Sequence, residues 1–484
     1  MTKDEYRTET IFEGDRVSRF LRTATEETLR NSEYVDVVNG NRIVRPPRGP
    51  TGYSIVVCSA VGDDTGAIEM HGASLVDNLY NALVSFGATP VGFSNIIDVP
   101  KVEMGDIEEL VWGMRDRANE RKMVILNGEY AVLGDMVTSN VSVLGTGIGL
   151  IHTGDLQSSH GSLTHEGVQF SYFNPRGQAV FLNSDGTGTK PILYLKGMTQ
   201  GGSLNGAVDD YMAMTFYDAI KMGGVIQVSS AIIETTGDIP FEQMDRYAWR
   251  RAAQMGVTSI MERHYAQLRS FPGEERAFNI NGSTVSTISE ERLQNPLKCN
   301  AGDSLVAVYG RATPRSNGIS SRRRTMDALG NDWHTKPENQ AMLRYLTTHS
   351  TVFYPVFSKF VDQGLATGLF HLSGGSYDGK LARPLRRQGL AVELTDLPHP
   401  CEQEIELVMR SGKSMEDAYG QWNMRVEGFV ATPEPARVFE LLRQEGLEGK
   451  VVGKLEPQSG DRTGVRLTAF NGEKVHFDGL EKAA

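Results

Sequence analysis

Cysteine is scarce in this chain: Cys58, Cys299 and Cys401 are the only three in 484 residues, and they lie far apart. An odd, sparse set excludes a disulfide framework and a cysteine-rich zinc site, and it fits a reducing, cytoplasmic compartment. Long apolar runs are missing too. No stretch approaches the roughly 20 apolar residues of a membrane span, so no membrane partner is expected. The opening Met1-Thr2-Lys3-Asp4-Glu5 has no apolar segment to serve as the heart of a signal peptide, which also points to the cytoplasm. An excess of positive charge is lacking as well. With 49 Lys and Arg against 60 Asp and Glu the net charge is −11, which disfavours nucleic acid or an anionic membrane surface as a partner. The one dense basic run, Arg322-Arg323-Arg324, reads either as a solvated helix face or as a local spot for a small phosphorylated ligand.

What is present is ordinary globular material: 39% hydrophobic and 23% charged residues. The length exceeds one core and suggests two to four domains. Residues 1–50 are polar and close on Arg45-Pro46-Pro47-Arg48-Gly49-Pro50, which reads as an N-terminal arm with a proline-stiffened exit. An internal repeat follows. Leu75 to Ile97 aligns without gaps on Tyr211 to Ile233, an offset of 136. Each copy reads as a helix ending at glycine (Gly87; Gly223-Gly224), an apolar strand, a second helix (Asp106 to Asn119; Phe241 to Met255), another strand and a polar loop containing glutamate. The expected domains are 51–176 for the first copy, 177–300 for the second, an α/β domain over 301–456 with alternating strands and helices, and a polar, peripheral tail over 457–484.

The chemistry concentrates at Ser184-Asp185-Gly186-Thr187-Gly188-Thr189-Lys190, which follows the apolar run Ala179 to Leu182. Glycine lets backbone N–H groups approach phosphate, lysine supplies a point charge, and aspartate can hold a hard cation. The spacing is not that of a Walker A loop. Asp210 and Asp218 lie eight residues apart on the next helix, about 80° off alignment at 3.6 residues per turn. They read either as partners of Asp185 around magnesium or as a solvated acidic face. Farther on, Thr313 to Gly318 joins a strand to a helix, whose N-terminus suits an anion, although Ser316 or Asn317 could simply cap it. His371-Leu372-Ser373-Gly374-Gly375 is a second glycine turn after a strand.

These residues, in this order, resemble the aminoimidazole ribonucleotide synthetase superfamily. Asp185 to Lys190 is similar to its Asp-Gly-x-Gly-Thr-Lys signature, and Asp210 to Asp218 to the helix after it. Ser316-Asn317-Gly318 resembles its His-Ser-Asn-Gly turn, and His371 to Gly375 its Ala-His-x-Thr-Gly-Gly-Gly turn. Trp422-Asn423-Met424, with Pro398-His399-Pro400 ahead of it, favours the branch of phosphoribosylformylglycinamidine cyclo-ligase. The resemblance implies a PurM-like α/β fold. Two N-terminal-type domains would form an intrachain pseudo-dimer barrel, followed by one C-terminal, A2-type α/β domain, and the chain would be a monomer or a homodimer. It also implies ATP and Mg2+, and a small phosphoribosyl substrate. The implied reaction phosphorylates the formyl oxygen of formylglycinamidine ribonucleotide, after which an amine of the same molecule closes the imidazole ring. The alternatives are another phosphoryl-transfer enzyme of the superfamily and a non-catalytic protein that keeps the fold.

By resemblance, Gly186, Gly188, Thr189 and Lys190 would hold ATP, and Asp185, Asp210 and Asp218 the metal. Lys190, Asp185, Glu129 and His371 would be catalytic, while Arg315, Ser316, Asn317, Gly318, Ser373, Gly374 and Gly375 would bind substrate phosphate. The chain departs from the pattern at Arg315, where the family has histidine, and at Ser376 and Arg425, where it has glycine. The family's Gly-Gly-Glu-Thr loop is approximated in the first copy, by Asn127-Gly128-Glu129-Tyr130, while the second has Met261-Glu262-Arg263-His264. The lysine loop stands only in the second copy, the first having Ala60-Val61-Gly62-Asp63-Asp64-Thr65-Gly66. The expectation is therefore one composite site, with Lys190 from the second copy and Glu129 from the first.

Overall fold

A helix that stops at glycine and turns straight into an apolar strand opens both repeats, and the same order is what folds. A computed structural model describes residues 16–47, 52–63, 66–137, 141–265, 277–460 and 462–480. The first repeat contains β3 (Tyr53–Val61), α1 (Ile68–Ser85), β4 (Thr89–Val99), α2 (Met104–Arg121), β5 (Val124–Val132) and β6 (Ser142–His152). A hairpin of β7 (His160–His165) and β8 (Val168–Phe173) follows. The second repeat contains β9 (Ala179–Gly186), α3 (Lys190–Met198), α4 (Asn205–Lys221), β10 (Val225–Thr235), α5 (Phe241–Gln254), β11 (Thr258–Tyr265) and β12 (Phe278–Ile288). Gly87 and Gly223 both have the positive φ, 86° and 75°, that ends a helix with a left-handed residue.

Strand order shows the duplication directly. The first sheet runs β5-β4-β6-β3-β8-β7 and the second β11-β10-β12-β9, so the four strands of each repeat fall in one order. In both, the first pair is parallel and the next two are antiparallel. β1 (Val35–Val38) and β2 (Asn41–Val44) continue the second sheet beyond β9. Residues 35–44 are thus a hairpin annealed to a sheet, preceded by helical turns over 16–31, and not the open arm expected from their polarity. Ile43 and Val44 are buried, and two apolar residues are enough to anchor a strand in a region that is polar on average.

The chain divides into two compact units: residues 1–188 with 224–294, and residues 189–223 with 295–483. In the first unit the two sheets share a core of Val57, Leu126, Ile148, Leu182, Val228, Ile260 and Val285. Polar contacts cross it in matched pairs. Ser59 meets Thr146 and Ser230; Ser184 meets Ser283 and Ser94. Asn279 donates to Asp98, and Ser142 donates to Glu234. Ser94 and Ser230, like Asp98 and Glu234, stand one repeat offset of 136 apart, so the same contact forms twice about a pseudo-two-fold axis. The expected intrachain pseudo-dimer is therefore written in individual hydrogen bonds. Gly145, Gly147 and Gly149 alternate along β6 beneath α1. A Cβ at each would crowd Leu75, Leu79 or Leu83 at 3.3–3.4 Å, so small residues at a period of two set how closely this helix lies on the sheet.

The second unit contains two four-stranded sheets. One is built from β14 (Gly368–His371), β16 (Gly428–Thr432), β13 (Ser304–Tyr309) and β17 (Glu448–Lys454); the other from β18 (Glu456–Pro457), β15 (Leu390–Leu394), β19 (Val465–Thr468) and β20 (Lys474–Phe477). Helix α6 (Ile319–Asp327) buries Ile319 and Met326 in the core of these sheets, and α7 (Tyr354–Asp362) lies against α4. The tail expected to be peripheral is integral: β19 and β20 bury Val465, Leu467, Val475 and Phe477 in the unit's main core. Alternation over only four residues in each strand was too short to stand out from the surrounding polar sequence. Among the described residues, no helix is long and apolar enough to cross a membrane.

Candidate active site

The lysine loop runs from β9, in the first unit, into α3, in the second. Asp185 faces Gly282 in the β9–β12 ladder, and its Oδ1 accepts from the Gly186 N–H at 2.7 Å. A Cβ on Gly186 would come within 2.4 Å of Asn281 Oδ1, so a larger residue there would displace the Asn281 amide. Gly188 takes a φ of 61°, Thr189 shares a hydrogen bond with Ser320 at 2.9 Å, and Pro191 starts the helix.

Lys190 is fully buried. Its Nζ donates to both oxygens of Asp210, at 2.9 and 2.8 Å, and to the Thr348 carbonyl at 2.9 Å. Asp210 also accepts from the Ser350 N–H at 2.8 Å, from the Ser350 hydroxyl and from Tyr194. Burial alone would raise the Asp210 carboxyl; the Lys190 charge and the hydrogen bonds from Lys190, Ser350 and Tyr194 outweigh it and hold it below the ordinary carboxylate range. Burial pulls Lys190 down, and Asp210 opposes that pull. With three acceptors around Nζ, the pair stands as an ion pair. Asp218 instead pairs with Lys221 on the exposed part of α4. Among the described residues no three His, Cys, Asp or Glu side chains gather as a metal-ligand group. Asp210 is committed to Lys190 and Asp218 to Lys221.

The turn after β13 holds the other part of the site. Arg315 is fully buried at a φ of 53°, and its Nη1 donates to Glu427 at 2.9 Å. Glu427 also accepts from the Gly310 N–H at 3.1 Å and from Thr351. Burial lowers the Arg315 pKa, with Glu427 and Asp210 opposing. Nε and Nη2 of Arg315, the Ser316 hydroxyl, and the amide of Asn317 are buried without a hydrogen-bond partner. Gly318, at φ 59°, turns the chain into α6, and a Cβ there would meet Trp422 at 2.3 Å. His371 packs edge-on to Tyr217 with ring centroids 4.5 Å apart, and its Nε2 has no partner. Burial first, then the charges of Arg315, Lys380 and Lys221, depress its pKa well below the usual range, so the ring is neutral near pH 7.

Three departures from the family pattern share one geometry. Arg315, Ser376 and Arg425 all have positive φ, at 53°, 37° and 76°. Ser376 and Arg425 therefore stand in the left-handed region that glycine enters at no steric cost. Ser376 is held in this otherwise unfavourable state by its N–H to Ser373 O at 2.9 Å and its hydroxyl to Trp422 O at 2.8 Å. Ser373 is buried beside Gly374 and Gly375, the latter at φ 82°.

In the first unit, Glu129 lies on β5 and lines a cleft of about 630 Å³ with Arg42, Asn95, Gly128 and Tyr130. Its strand reaches β9 through Asn127, which donates to Asn183 at 3.1 Å. The register also pins down the glutamate of the second repeat. Glu129 pairs opposite Ile96 and Glu262 opposite Ile232, one repeat offset on, so Glu262 is the structural counterpart of Glu129. The sequence also gave no signal for Thr348, Ser350 or Glu427, which reach the site across more than a hundred residues of chain.

Residues 43–151, spanning β3 to β6, match the family described as AIR synthase related protein, N-terminal domain. The chain carries an AIR synthase-type N-terminal domain. Among curated relatives, the phosphoribosylformylglycinamidine cyclo-ligase of Clostridium perfringens is 24% identical over 177 residues, covering 37% of this chain and 51% of that protein. The chain thus spans about half the length of that relative. The cyclo-ligase of Methanobrevibacter smithii is 23% identical over 313 residues, covering 62% of this chain and 86% of that protein. A solved structure of the hydrogenase maturation protein HypE in complex with ATP is similar at a TM-score of 0.44 and 15% identity, over 63% of this chain and 85% of that one. The AIR synthase match falls on the repeat without the lysine loop, and the strand order of the second repeat repeats that domain.

Proposed function

We propose that this protein transfers a phosphoryl group from ATP to an oxygen of a small phosphorylated substrate. The specific reaction proposed is closure of formylglycinamidine ribonucleotide to aminoimidazole ribonucleotide in the cytoplasm. The observation that carries this reading is the set of buried, unpartnered groups around the turn into α6: Arg315 Nε and Nη2, Ser316 Oγ, the Asn317 amide and His371 Nε2. Leaving such groups unsatisfied costs about 1–3 kcal/mol each. A phosphate ester supplies oxygens enough to satisfy the donors together, with the start of α6 adding its partial positive charge. The cyclo-ligase relatives and the AIR synthase domain support the same class of reaction.

In this mechanism the Arg315 turn and the Ser373 to Gly375 turn hold the substrate phosphate and orient the reacting end. Lys190 exchanges its Thr348 carbonyl contact for an oxygen of the transferred phosphoryl group, keeping Asp210 as its anchor. Glu129 and Asp185 are the remaining acids of the reaction. The formyl oxygen takes the γ-phosphoryl group and ADP leaves. The substrate amine then attacks the activated carbon, phosphate departs, and the ring closes. Asp210 and Asp218 serve as partners of Lys190 and Lys221.

A second reading, a phosphate-binding protein without turnover, is favoured by the full engagement of Lys190 Nζ with protein acceptors. ADP release with and without formylglycinamidine ribonucleotide separates the readings. Substrate-dependent ADP supports ring closure, ADP release indifferent to that substrate means a different acceptor, and no ADP under either condition leaves the binding role. Under the first reading Lys190→Ala and Glu129→Gln both abolish most of the turnover; near-normal activity of Glu129→Gln removes that residue from the mechanism.

A further inference from the structure

The pseudo-two-fold axis places a further cleft wholly within the first unit. It is a cleft of about 670 Å³ bounded by the end of β3 with its following turn, by α1, by the start of β6 and by the ends of β10 and β11. It joins the first repeat's counterpart of the lysine loop to Glu262, the second repeat's counterpart of Glu129. Its chemistry is inverted. Asp63, Glu166, Glu234 and Glu262 line it together with His71 and His264, and none of its described lining residues is Lys or Arg.

Several of these groups wait for a donor. Glu234 is 1% exposed, accepts from Ser142 through one oxygen, and has no partner for Oε2. His71 is 6% exposed and neither ring nitrogen has a partner. Glu262 meets His264 at 3.3 Å through one oxygen, while its Oε1 is buried and unpaired. A buried carboxylate oxygen left without a donor is costly, and a hydrogen-bonded cation is the ligand that relieves it best. A phosphate ester would bring negative charge to four acids with no lysine or arginine among the described lining residues to offset it. A divalent ion is disfavoured because no three of the described side chains converge as ligands. The cleft is also in the size range of small-molecule sites.

We propose that this cleft binds a small organic cation, an amine, amidine or guanidine carrying several N–H donors, through Glu234, Glu262 and His71. The site is independent of the phosphoryl-transfer reading. Isothermal titration of the full chain with agmatine, alone and in the presence of ATP or inorganic phosphate, tests it. The expected result is saturable binding of one agmatine per chain, undisturbed by either anion. It should weaken about tenfold or more in Glu234→Gln and in Glu262→Gln, since each removes a charge-assisted hydrogen bond. It should be unchanged in Lys190→Ala, so that loss of ATP turnover and loss of the cation site are read separately. Thermal melts of the glutamine variants establish that they fold, and Glu262→Gln, the less buried of the two positions, carries the test should Glu234→Gln fail to fold. Absence of saturable agmatine binding, equal affinity in the folded glutamine variants, or competition by ATP overturns the proposal.

Discussion

Asp98 and Glu234 are one residue written twice, each buried on the axis that relates the repeats, Asp98 with two amide donors and Glu234 with one hydroxyl donor. Asp98 accepts from Asn279 and Asn281, both at 2.8 Å, yet burial and the nearby Glu234 push its pKa up to about 7. Burial raises Glu234 too. The folded chain therefore keeps the Asp98 proton up to about pH 7, whereas the unfolded chain gives it up near pH 4. Between those values the native state binds the extra proton, so stability falls as pH rises through this window and levels off above it. The full effect is roughly 4 kcal/mol for a carboxyl displaced this far. Denaturant midpoints of the wild type from pH 4 to pH 8 should fall with pH, and Asp98→Asn, whose amide oxygen still accepts from both asparagines, should flatten most of that slope. A wild-type profile that rises with pH over this range would contradict the assignment. Lys190 follows the opposite logic: its buried partner is supplied, and the pair holds its charges by mutual contact.

At the scale of elements, β19 and β20 carry more than their length suggests. Phe477 and Leu467 are buried in the second unit's main core. Phe477→Ala should destabilise by about 3–5 kcal/mol, measured by denaturant unfolding, whereas a peripheral tail would lose nothing. These strands also mark where the sequence stopped being legible. The repeats, their helix–strand order and the turn at Thr313 to Gly318 were readable because long periodic segments and glycine stops recur at a set distance. Four-residue strands such as β1, β2, β19 and β20 carry too little pattern. The site divides the same way. Asp185 to Lys190 and Arg315 to Gly318 stood out as local motifs, while Ser350, Thr348 and Glu427 are ordinary residues that acquire meaning only when folding brings them to Lys190 and Arg315. Glu262 was visible as part of a polar loop, but that it sits on a strand in the register of Glu129 depends on pairing partners that sequence spacing does not specify.

For the whole molecule the decisive fact is that the two repeats agree in strand order and disagree in chemistry. Only the second has the lysine, and only the first presents its glutamate beside Gly128 and Asn127. Under the proposed function, calorimetric titration with ATP should give one site per chain, lost in Lys190→Ala; two equivalent sites would contradict it. The tandem arrangement has a further consequence for how such a protein can change. A symmetric homodimer inherits every substitution in duplicate, so an improvement at one of its pockets is forced on the other. Here the halves are encoded separately. The cleft around Glu234 and Glu262 can drift toward positively charged ligands while the loop at Lys190 stays as it is, because no mutation has to satisfy both places at once.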